Sequence, residues 1–159
     1  AFVRTFPISS PMEEGEVSVT TELRTIDTNG TQDSLLLIES KSNEPVKNLQ
    51  LYSSPKFSPS GDAVYFMTNA WATSGAIHKV DLTSKKSLFI SAGNSLEVIP
   101  TGEDKGKLIV QKHKYFAAGG TYDFYWLLTP DGKELSPIGD TEEMVRNFLE
   151  MNAKTGSKQ

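Results

Sequence analysis

Self-similarity limits what this chain can fold into more than any single motif does. Residues 54–91, SPKFSPSGDAVYFMT…GAIHKVDLTSKKSLFIS, can be laid on residues 96–139, LEVIPTGEDKGKLIVQKHKYF…TYDFYWLLTPDGKELSPIG. Pro59-Ser60-Gly61 meets Pro100-Thr101-Gly102, Val64-Tyr65-Phe66 meets Leu108-Ile109-Val110, and Thr83-Ser84-Lys85-Lys86 meets Thr129-Pro130-Asp131-Gly132. The offsets of 41, 44 and 46 residues imply small insertions in the turns. A partial earlier copy, LLLIESKSNEPVKNLQLYSS over residues 35–54, overlays the second half of the 54–91 unit with Ile38 against Val80. The chain therefore reads as about three units, each of the form strand, turn, strand, loop, strand, turn, strand.

The local chemistry inside the units is that of β structure. Short runs rich in β-branched and aromatic residues are punctuated by Asn29-Gly30, Pro59-Ser60-Gly61-Asp62, Ser84-Lys85-Lys86 and Pro130-Asp131-Gly132-Lys133, all turn-forming combinations. Residues 17–25 and 34–39 flank Asn29-Gly30 and predict a hairpin. The uninterrupted apolar runs at 63–67, 108–110 and 124–128 predict strands covered on both faces. Only the C-terminal segment has helical spacing: Asp140 is placed to cap, with Glu143 three residues on and Met144, Val145, Phe148 and Leu149 forming one apolar stripe.

Four strands per unit at a period of about 40 to 45 residues match the blades of a β-propeller. The middle unit, PKFSPSGDAVYFMT followed by IHKVDLTSKKSLFIS, resembles the TolB-like and WD-type propeller repeats, in which an S-P-D-G turn joins the first two strands and a later strand ends in D-L-x-[ST]-G. Ser60 stands where that pattern has Asp, and Lys85 or Lys86 where it has Gly. The resemblance covers residues 35–139 and implies an all-β fold of about three blade-like antiparallel sheets with one C-terminal α-helix. Three units do not fill a ring of about four to eight blades. An open stack, a ring closed by dimerisation and a single β-sandwich all remain, and the open, truncated propeller is the reading adopted. The expected division is an extended arm over 1–16, the repeat domain over 17–139, a capping helix over 140–154 and a flexible tail over 155–159.

Composition removes several functional classes. A net charge of −4 without a basic stripe argues against nucleic acid as a partner. The absence of cysteine excludes thiol nucleophiles, disulfides and Cys-ligated metal. No apolar run reaches the roughly 18 residues of a membrane span. The first residue is Ala1 rather than Met, which leads to the expectation of an exported, periplasmic protein whose signal peptide has been removed.

Catalytic equipment is thin. His78 alternates with Val80 and Leu82, and His113 with Ile109 and Tyr115, as strand residues do; neither belongs to a nucleophile elbow or a metal-binding helix. Asp27, Asn29, Gly30 and Asp33 carry neither the glycine position nor the final glutamate of a calcium loop and read as a turn. Glu97, Glu103, Asp104 and Asp123 lie near turns and could supply a glycosidase-like carboxylate pair only if they face one another across a cleft. No catalytic residue, metal or cofactor is expected.

Two loops carry the remaining signal. Thr68 to Gly75 and Phe116 to Thr121 join the second and third strands of consecutive units and should emerge on one rim. Trp71, Thr73 and Ser74 on the first, and Phe116, Ala117, Ala118, Gly119, Gly120, Thr121 and Tyr122 on the second, have the composition of an adaptable binding surface. The competing structural expectation is that Trp71 folds back over its sheet and that Gly119-Gly120 only makes a tight turn. The expected function is a non-enzymatic protein-binding module, of the kind in which an inhibitor or immunity protein blocks a cell-wall hydrolase with a loop. The alternative is an assembly module that pairs through its sheet edges, as in a homodimer.

Overall fold

The computed structural model describes residues 1–7 and 19–155. Three antiparallel sheets follow one another along the chain. The first holds β1 (Phe2–Pro7), β2 (Val19–Thr25) and β3 (Ser34–Ile38). The second is the meander β4 (Ser53–Phe57), β5 (Ala63–Asn69), β6 (Gly75–Asp81) and β7 (Ser87–Gly93). The third is the meander β8 (Ser95–Val98), β9 (Leu108–Tyr115), β10 (Thr121–Leu128) and β11 (Glu134–Gly139), and α1 (Glu142–Thr155) follows it.

The alternation of side chains along β5 and β9 shows how these sheets stack. Val64 and Phe66 join Leu23, Leu36, Tyr52 and Val80 in a core between the first and second sheets. Tyr65, one residue out of phase with them, joins Ile77, Ile90, Leu96, Val98, Leu108, Val110 and Leu128 between the second and third. Ile109 points the other way, with Ile99 and Leu127, toward Val145, Phe148 and Leu149 of α1. A period of two thus sorts each apolar run onto two opposite cores, which is why residues 63–66 and 108–110 read as unbroken hydrophobic stretches. The fold is an open, propeller-like stack of three sheets with the helix laid on the last.

The sequence-based division needs several corrections. Phe2–Pro7, expected in an extended arm, is an edge strand paired in register with β2 from Phe2↔Arg24 to Pro7↔Val19. The rest of that arm, together with residues 156–159 of the expected tail, lies outside the described residues. The helix is capped by Thr141, whose hydroxyl accepts from the Met144 N–H at 3.3 Å, and not by Asp140. Its apolar stripe is narrower than expected, since Met144 is exposed. The repeat was also out of phase in its first unit: Ile38 lies in β3, which ends its sheet and leads on to β4 as β7 leads on to β8. The counterpart of β3 is therefore β7 rather than the strand holding Val80. Lys85, in the turn that leads into β7, donates to the Leu35 carbonyl at the start of β3 at 2.7 Å, so the two last strands begin at the same end of the stack.

A projecting hairpin as the candidate functional site

The β9–β10 ladder is the longest in the third sheet, running from Leu108↔Leu128 to Tyr115↔Thr121. Its neighbours stop earlier. β8 follows β9 only as far as Ser95↔Gln111, and β11 follows β10 only as far as Tyr125↔Gly139. Residues 112–124 therefore form a two-stranded ribbon that projects past the rest of the sheet. The equivalent β5–β6 hairpin does not project, because β7 accompanies β6 to its last rung at Gly75↔Gly93.

The tip is closed by reciprocal backbone bonds: Phe116 N–H donates to Gly120 O and Gly119 N–H to Phe116 O, each at 3.0 Å. Gly119 and Gly120 both have φ of 92°, a region L side chains rarely adopt, while a Cβ at Gly119 would meet nothing within 4 Å. Backbone conformation rather than crowding thus selects glycine here. Tyr115 and Phe116 are 68% and 55% exposed, and Ala117, Ala118 and Thr121 are exposed beside them.

Alternation gives the ribbon two different faces. On the side of the second sheet, Phe116 stacks on Tyr122 at 4.5 Å, and edge contacts at 6.4 Å continue from Tyr122 to Phe124 and from Phe124 to Trp126. Lys114 Nζ sits 3.7 Å from the centre of the Trp126 ring. Lys112 and Lys114 both reach Glu134, at 2.8 and 2.7 Å. Partial burial alone would raise the Glu134 carboxyl, but the hydrogen bonds and charges of the two lysines outweigh it and hold it below the usual range. On the opposite face Tyr115 meets His113 edge-on at 5.2 Å, and His113 Nδ1 lies 2.8 Å from Asp123 Oδ1.

The other predicted loop is tied down. Trp71 is 41% exposed, and its ring meets Phe89 edge-on at 6.2 Å, so it lies back on its own sheet. Asn94 holds the loop from below: its side chain donates to Thr73 O at 2.9 Å and accepts from Gly75 N–H at 3.3 Å, while its own N–H donates to Gln111 O at 2.8 Å. Ser74 closes the turn by accepting from Trp71 N–H at 2.8 Å. The structure thus gathers Ala117, Ala118, Gly119, Gly120, Thr121 and Tyr122 on the projecting ribbon and leaves Trp71, Thr73 and Ser74 in a separate loop at its base. It keeps the expected Phe116 with them and adds Tyr115, His113 and Asp123, which period-two alternation on both sides of Ala117-Ala118-Gly119-Gly120 signals.

Among the described residues, neither histidine meets both a carboxylate and a hydroxyl. His78 is fully buried, stacked on Phe66 at 5.4 Å and edge-on to Phe89 at 5.8 Å. Thr68 donates its hydroxyl to Asn48 O, which leaves it to accept from His78 Nε2 at 3.2 Å and so fixes the Nε2–H tautomer. Burial pushes the His78 imidazole down to about 4. His113 has Asp123 but no hydroxyl partner among the described residues. Of the acidic residues near turns, Glu97 pairs with Lys56 at 3.0 Å and Asp104 with Lys107 at 2.5 Å. In the Asn29-Gly30 turn the Asp33 carboxylate bonds Arg24 at 2.7 Å, and Asn29 accepts from the Thr31 hydroxyl at 2.8 Å.

No protein-family model matches the chain, and no curated protein matches it in sequence. Among solved structures it is similar to the β-propeller domain of the Trilobed protease from Pyrococcus furiosus, described as having an open velcro topology. Identity is 19%, the TM-score is 0.43, and the match covers 78% of this chain and 40% of that one. The matched part of this chain thus spans less than half of the length of that chain. No described helix is long and apolar enough to cross a membrane.

Proposed function

We propose that the protein is a protein-binding module that inserts the β9–β10 ribbon into a concave surface of its partner. The observation that carries this reading is the ribbon itself, which outruns both flanking strands while presenting Tyr115 and Phe116. A two-stranded hairpin without flanking strands is marginal in water, so its aromatic ladder and glycine tip serve to hold it in one shape. Large, stiff aromatic side chains on such a shape supply contact area at low entropic cost. The narrower proposal is a periplasmic cell-wall hydrolase as partner, with Ala117 and Ala118 as the thin leading edge that enters its cleft. The alternative, self-association through sheet edges, draws less support: β11 carries Pro137 and two register shifts along its pairing with β10, and Lys85 occupies an edge carbonyl of β3.

The test is cross-linking and affinity capture from cells of the source organism, comparing wild type, a Tyr115→Ser/Phe116→Ser variant and Trp71→Ala. Capture of one partner by wild type and Trp71→Ala, lost with the folded double variant, supports the ribbon. A partner retained by the double variant overturns it. A stable homodimer in solution, abolished by charged substitutions along an edge strand, would favour the alternative.

A further inference from the structure

The helix covers only part of the third sheet's outer face. Its Val145, Phe148 and Leu149 sit on Ile99, Ile109 and Leu127, and beside this contact, toward β8 and Tyr125, a cavity of about 370 Å³ opens between α1 and the sheet. Its floor is Ile109, which is fully buried, and Val145 and Leu149 form an apolar wall. That volume lies within the range of small-molecule sites.

The mouth is polar and electrically divided. Glu142 and Arg146 line it one helical turn apart, and neither side chain makes a hydrogen bond or ion pair with a described residue. Glu97 also lines it, but its charge is already met by Lys56 at 3.0 Å. Tyr125 and Glu142 line the same end of the cavity, where burial first, then the carboxylates of Glu142 and Asp123, push the Tyr125 phenol up. Arg146 supplies a positive pole one turn further along the helix. Side chains at this spacing stand roughly 5–6 Å apart at Cβ, a separation suited to a ligand whose two opposite charges are carried on one carbon.

We propose that this cavity binds a free α-amino acid with a branched aliphatic side chain. Its ammonium lies against Glu142 and the Tyr125 hydroxyl, its carboxylate takes the two-pronged guanidinium of Arg146, and its side chain fills the apolar recess over Ile109, Val145 and Leu149. No residue of the 112–124 ribbon lines the site, which does not depend on the ribbon's role.

The experiment is methyl-detected NMR titration with L-leucine, N-acetyl-L-leucine and L-leucinamide, the last two lacking the cation and the anion respectively. The expected result is saturable shifts at the Ile109, Val145 and Leu149 methyls with leucine, and binding roughly tenfold weaker for each blocked form, as loss of one charge-assisted hydrogen bond implies. Glu142→Gln should abolish discrimination against the acetylated form, and Arg146→Gln discrimination against the amide. Equal binding of all three compounds, or of leucine and either blocked form, overturns the proposal, as does the absence of shifts at these methyls. The Tyr115→Ser/Phe116→Ser variant should titrate as wild type does, so the fate of the ribbon reading is read separately.

Discussion

Asn152, near the end of α1, accepts a hydrogen bond from the backbone N–H of Asp104 in the β8–β9 turn at 2.9 Å. The same side chain donates to the Thr101 carbonyl at 2.7 Å, and Asn152 is only 7% exposed. Both ends of this amide replace water for backbone groups that would otherwise be unpaired at the helix–sheet junction. Asn152→Ala should therefore cost about 2 kcal/mol, within the range for orphaning buried polar groups. Urea denaturation followed by tryptophan fluorescence measures it; a loss below about 0.5 kcal/mol would mean that water satisfies the turn equally well.

His78 makes stability depend on pH in one window. The buried ring has its pKa lowered from 6.5 to about 4, so the unfolded chain binds the extra proton between those values. The contribution of the neutral ring is complete above pH 6.5, falls as the pH drops toward 4, and amounts to about 3 kcal/mol at most from 1.36 kcal/mol per unit. His78→Gln should flatten the slope of unfolding free energy between pH 6.5 and pH 4. An unchanged slope would assign the acid sensitivity to carboxylates.

The second and third sheets meet too closely at Gly93 for any side chain. A Cβ there would run into Val110 Cγ1 and lie 3.0 Å from Ile77 Cδ1. Because these are packed core atoms, Gly93→Ala should destabilise by about 1–3 kcal/mol, the usual cost of overpacking. Thermal unfolding provides the check, and wild-type stability would show that the two sheets can separate slightly at no cost.

Amide exchange should step along β9 and β10. Amides of Leu108, Ile109 and Val110 sit inside a four-stranded sheet, whereas those of residues 112–115 and 121–124 depend on a single ladder. Hydrogen exchange should be markedly faster in the second group, and binding of a partner to the ribbon should slow it. Uniform protection along both strands would show that the ribbon is held by contacts other than its own ladder.

Much of the architecture was legible because apolar runs and turn residues act locally. Ala63-Val64-Tyr65-Phe66 had to be covered on both faces, and Pro59-Ser60-Gly61 and Pro130-Asp131-Gly132 had to turn. The first unit was misphased because a strand's place in its sheet depends on direction, and Leu35-Leu36-Leu37-Ile38 reads alike as a third or a last strand. Asp140 and Thr141 are both good caps, and only the helix geometry chooses between them. The ribbon escaped for a different reason. Tyr115, Phe116 and Tyr122 were visible as aromatics, but their projection is set by where β8 and β11 end, at Ser95 and Gly139, which no motif in β9 or β10 records. For Trp71 the sequence left both an exposed rim and a folded-back ring open, and Phe89, eighteen residues on, supplies the surface that draws it back.

Each of the three apolar cores joins only layers that are consecutive in the chain. Folding can therefore advance from one end without waiting for distant segments, each completed sheet offering a template for the next. The same order governs failure. Detachment of α1 strips cover from Ile99, Ile109 and Leu127 while the two deeper cores stay closed, so the first opening on heating should be a C-terminal peel that leaves the other layers standing.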